Sequence, residues 1–102
     1  MTIKQLEKKA ENLDKKISHI CALLQTLRER IEKVENRIKE AHEMTLIPNQ
    51  HYKDEWASEE AHQIKNRDNL MEIAKDYEKQ LDALCHKLEG IDHAIHSANF
   101  HE

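Results

Sequence analysis

The sequence predicts an all-α fold, a long antiparallel two-helix coiled-coil hairpin that dimerises to a four-helix bundle. Apolar residues recur in strict 3–4 spacing from Ile3 to Ala41 without a miss, which is the mark of a coiled-coil helix. The 102 residues include one glycine and one proline, with 35% charged and 4% aromatic side chains. That composition suits long solvated helices over a thin core. Pro48, the single proline, falls near mid-chain, where a hairpin has to turn.

The first helix is expected over about residues 3–43. Thr2 is a good N-cap, Gln5 completes a capping box, and Met1 with Leu6 can form a hydrophobic staple. Its seam is Ile3, Leu6, Ala10, Leu13, Ile17, Ile20, Leu24, Leu27, Ile31, Val34, Ile38 and Ala41. A loop is expected over about 44–54. Pro48 cannot continue a helix, and Ile47 before it is biased to extended backbone. Asp54 is the expected N-cap of the second helix, over about 55–97.

The second seam is clear from Leu70 onward, through Ala74, Tyr77, Leu81, Leu84, Leu88, Ile91, Ile95 and Ala98. Upstream, the same frame places Arg67, Gln63 and Glu60 at seam positions. A shifted frame on Ala57, Ile64 and Met71 is therefore expected, joined to the first by a stammer. The polar run at 66–69 marks the shift. Asn69 with Glu72 resembles a capping signal there, so a kink or short break is the alternative to a continuous helix.

The two seams align antiparallel in a register that sets Ile3 against Ala98, Ile17 against Leu84 and Leu27 against Ala74. Residues 1–43 hold ten Lys/Arg and eight Asp/Glu, while residues 44–102 hold six and twelve, giving halves of +2 and −6. Opposite signs favour folding one half on the other, although salt screens the effect. A parallel pairing of two first helices offers attractive Lys9–Asp14 and Arg30–Glu35 pairs. Exposed pairs contribute only about 0–1 kcal/mol, against about 1.5–3 kcal/mol for each large aliphatic side chain buried in a seam. The hairpin is preferred, as a single domain over 1–102.

Apolar residues beside the seams widen the stripe: Cys21, Ala22 and Leu23 on the first helix, Met71, Ile73, Ala83 and Cys85 on the second. A widened stripe is what a bundle of more than two helices buries. Cys21, Leu23, Met71 and Ile73 are the expected homodimer contacts. The two cysteines are too few for a disulfide scaffold and are expected to be semi-buried packing residues with free thiols. With no apolar leader and no window suited to a membrane span, a cytoplasmic location is expected.

No Gly-rich phosphate loop, nucleophile–base–acid order or pair of carboxylates in a cleft is evident, so no enzymatic activity, small-molecule substrate or cofactor is expected. Eight histidines occur, and His86, His93 and His96 come nearest to a cluster. Their spacing matches no zinc signature, and solvated surface histidines are the expectation, with no metal.

Two surfaces stand out. At the turn, Met44, Leu46, Ile47, Tyr52 and Trp56 gather among Glu43, Asp54, Glu55, Glu59 and Glu60. An aromatic-aliphatic spot with a charged rim has the composition of a protein-binding site. Its competing role is a plug, with Trp56 folded over Ala41 and Ile38. Lys9, Lys16, Arg30 and Arg37 line one flank of the first helix and form the alternative, a nucleic-acid surface. The expected function is thus a non-enzymatic interaction module with an unidentified protein partner: an adaptor, chaperone-like or regulatory hairpin. A nucleic-acid-binding hairpin dimer is the alternative.

Overall fold

A computed structural model describes residues 2–49 and 51–101, the side chains of 100 and 101 aside. It contains two helices, α1 over Ile3–Thr45 and α2 over Lys53–His101, packed as an antiparallel hairpin. The capping box at the start of α1 is complete. Thr2 N–H donates to Gln5 Oε1 at 3.0 Å, and Gln5 N–H donates to Thr2 Oγ1 at 3.2 Å. The staple expected from Met1 lies outside the described residues.

The loop is shorter than the sequence suggests. At the end of α1, Thr45 Oγ1 donates to the His42 carbonyl at 2.6 Å, and Leu46 N–H donates to the Glu43 carbonyl at 3.1 Å. Two orphan carbonyls of the last turn are thereby satisfied. Asn49, after Pro48, takes the left-handed region with φ 62°, which asparagine tolerates better than most residues. The N-cap is Tyr52 and not Asp54: the Trp56 N–H donates to the Tyr52 carbonyl at 2.9 Å. Asp54 and Glu55 fall instead in the first turn of α2, where they face its positive dipole end.

The chain divides into two compact units, each holding part of both helices. The terminal unit comprises residues 1–24 and 76–102, and the loop unit residues 25–75. In the terminal unit all seam residues of both helices are shielded, but only Ile20 and Leu24 are buried and the rest are half-exposed. In the loop unit Leu27, Val34, Ala41, Leu70 and Ala74 are buried.

The upstream half of α2 departs from expectation. There is no break at 66–69, and the helix is continuous. The shifted frame is not followed either, since of its three residues only Ile64 is half-buried. Ala57 and Met71 are exposed, whereas Trp56, Glu60 and Arg67 are half-buried and Gln63 is buried at 8% exposure. The 3–4 spacing of Leu70 and Ala74 thus runs back unchanged through polar residues. Each finds a way to stay there. Gln63 Nε2 donates to Glu59 Oε1 at 2.9 Å, and Asn66 Nδ2 donates to Gln63 Oε1 at 3.5 Å. Arg67 turns its guanidinium outward to Asp68 Oδ1 at 3.3 Å, burying its stem only. No buried side-chain nitrogen or oxygen among the described residues lacks a partner. A stammer would overwind α2 locally, whereas satisfied or snorkelling polar groups leave the helix regular.

A polar residue in a coiled-coil seam generally lowers stability and fixes register. Gln63→Leu should therefore raise stability by about 1 kcal/mol, since its polar neighbours remain accessible to water. Thermal melts followed by circular dichroism measure it; a lower midpoint would show that the Glu59–Gln63–Asn66 network outweighs apolar burial.

Candidate functional site

The turn-proximal part of the loop unit is held by polar pairs between the helices. Arg37 Nη2 of α1 lies 3.3 Å from Glu59 Oε1 of α2, the same oxygen that accepts from Gln63. His42 Nδ1 and Glu60 Oε1 are 3.0 Å apart, and the histidine donates when its proton is on Nδ1. The sequence alone singled out Arg37, Glu59 and Glu60 but not His42, and it did not reveal that they pair across the helices. Continuing the α2 heptad through Glu60 and Gln63 would have shown it, because Glu60 then sits on the seam and Glu59 beside it, within reach of His42 and Arg37.

Between Arg37, Glu40, Tyr52, Glu55, Trp56 and Glu59 lies an open groove of about 450 Å³. Trp56 is half-buried, on the seam frame, and forms part of the groove wall. Ala41, one of the residues it was expected to cover, is fully buried. Of the other turn residues, Met44 is half-buried and Ile47 exposed, while Leu46 and Tyr52 are the most open at 68% and 64%. The structure therefore combines a packed aromatic at the seam end with exposed apolar side chains beside it.

The remaining predicted residues are dispersed. Lys9 and Lys16 belong to the terminal unit, Arg30 and Arg37 to the loop unit. Arg37 is engaged by Glu59. Leu23 is half-buried and lines a terminal-unit groove with Tyr77 and Ala83. Cys21 is exposed, not semi-buried, because it lies off the seam with no second layer over it; Cys85 is half-buried, and both thiols are free. Met71 and Ile73 are exposed at 41% and 45%. His86 lies 3.6 Å from both Asp82 and Glu89 on its own helix. Among the described residues no three His, Cys, Asp or Glu side chains are grouped to hold a metal, and no helix is long and apolar enough to cross a membrane.

No protein family, curated protein or solved structure matches this chain.

The two roles at the turn separate by mutation. Arg37→Ala removes one exposed ion pair and should lower stability by less than about 1 kcal/mol. Trp56→Ala opens the seam end and should lower it by about 1–3 kcal/mol. Urea titration of both variants tests this; equal losses would mean that the ion pair, not the tryptophan, closes the turn.

Proposed function

We propose that this chain is a non-enzymatic protein-interaction module, an adaptor, chaperone-like or regulatory hairpin of the cytoplasm, which captures a protein partner at its turn. The observation that carries this is the exposure of Leu46, Ile47 and Tyr52 beside the groove walled by Trp56. Three apolar side chains at one turn, unneeded by the seam, are a ready anchor set for an interface. Glu40, Glu55 and Glu59 give that anchor an acidic rim. The alternative nucleic-acid surface has less support, since Arg37 is neutralised by Glu59. Leu46→Asp with Tyr52→Ala should abolish partner capture in a pull-down and leave helical content unchanged. Retained capture places the binding surface on the helices; loss of helicity makes the turn part of the fold.

Homodimerisation to a four-helix bundle is the second part of the proposal and rests on Met71 and Ile73. Two residues apart on α2, they flank the seam on opposite sides, so one dimer contact covers one of them. Met71→Glu and Ile73→Glu, made separately, should differ: one yields a monomer by sedimentation, the other leaves the dimer intact. A wild-type chain that sediments as a monomer at tens of micromolar, on the order of a modest interface's affinity, defeats the dimer.

A further inference from the structure

The terminal unit carries two adjoining grooves between its helices, of about 520 and 430 Å³, and Lys16 and Lys87 line both. The expected register already sets these two lysines near each other, on opposite helices. Lys9 lines the second groove. None of the residues lining either groove is an aspartate or glutamate, in a chain whose net charge is −4. Neither Lys9, Lys16 nor Lys87 makes an ion pair among the described residues. The floor is apolar and only half-covered by the hairpin itself, through Leu13, Leu84 and Ile91.

Gly90 lies in the same wall. It has an ordinary helical φ, and a Cβ built on it would meet nothing within 4 Å. No turn or internal contact asks for glycine there, and mid-helix glycine is about 1 kcal/mol less favourable than alanine. What the missing side chain does is leave this stretch of the groove wall open.

We propose that this face is a docking groove for an amphipathic helix of a partner protein that carries acidic residues on the flanks of its apolar stripe. The incoming helix lays its apolar residues on Leu13, Leu84 and Ile91, passes over Gly90, and sets its carboxylates against Lys9, Lys16 and Lys87. This is helix-in-groove recognition, with a cationic rim selecting the partner. A nucleic acid would use the lysines but not the apolar floor. The floor along α1, from Leu13 to Leu23, is about 15 Å long, matching roughly three helical turns. This surface is independent of the turn, and variants at Leu46 and Tyr52 leave it untouched.

The probe is a synthetic peptide of about three to four turns, with leucines in 3–4 spacing flanked by glutamates, and a control with lysines in place of the glutamates. The full chain contains a single glycine, so its amide gives one glycine resonance in a nitrogen-labelled sample, reporting from inside the groove. Titration with the acidic peptide should shift that resonance saturably, and the basic control should not. Lys16→Glu with Lys87→Glu should weaken binding by about tenfold or more. Gly90→Leu should raise the thermal midpoint, because a Cβ there meets nothing within 4 Å and leucine favours helix, yet abolish binding. The proposal is overturned if the acidic peptide leaves the glycine resonance unmoved, if both peptides bind alike, or if Gly90→Leu still binds. It is likewise overturned if Gly90→Leu turns a dimer into a monomer, since the occupant is then a second copy. A single-stranded RNA that displaces the peptide and moves the same resonance would reassign the face to a polyanion.

Discussion

The constraint on which this protein depends is the unbroken apolar stripe of α1. Twelve seam residues at heptad spacing cannot stand in water, and a continuous helix has no means of hiding them by itself. Short of a partner, the chain covers them by turning back on itself over a loop of few residues. Pro48 ends the possibility of one long helix, and Asn49 supplies the left-handed step that reverses the path. The second helix is thereby held to an antiparallel course and a fixed frame, and its own sequence has to be tolerated within that frame.

That tolerance explains the difference between the two units. In the terminal unit both seams are apolar. In the loop unit α1 offers Ile31, Val34, Ile38 and Ala41, while α2 answers with Leu70 and Ala74 and then with Arg67, Gln63 and Glu60. The α1 stripe is well covered here all the same, with Leu27, Val34 and Ala41 buried, and this unit is held in addition by Arg37–Glu59 and His42–Glu60 between the helices. Such exposed pairs add little energy, but they link named positions on the two helices. The turn is thus placed by directional contacts.

Charge is sorted in the same way. The groove at the turn is bordered by three glutamates and one arginine that is already paired, whereas the grooves of the terminal unit have lysines and no carboxylate. Neither is deep, because a two-helix seam cannot enclose an interior. What such a fold presents to other molecules is surface pattern: an aromatic wall among glutamates at the turn, an apolar floor among lysines in the terminal unit. It is on these surface patterns that the proposed binding of other chains rests.

The helices, their antiparallel pairing, the capping box of Thr2 and Gln5, and the apolar side chains that stand out at the turn are all legible in the order of the amino acids. Each follows from short-range spacing or local hydrogen bonding, which one chain displays openly. The sequence alone misleads over the upstream half of α2, where Ala57 and Met71 fitted a shifted stripe better than Gln63 and Arg67 did. Hydrophobicity alone ranks a glutamine below a methionine at a seam. The folded chain weighs instead the strain of overwinding a helix against a glutamine that Glu59 and Asn66 satisfy and an arginine that reaches water at Asp68. Tyr52 as the cap, Glu59 opposite Arg37, and Lys87 and Gly90 beside Lys16 likewise depend on which residues the second helix brings across from the first. Those neighbours are tens of residues apart in the chain, and only tertiary packing decides them.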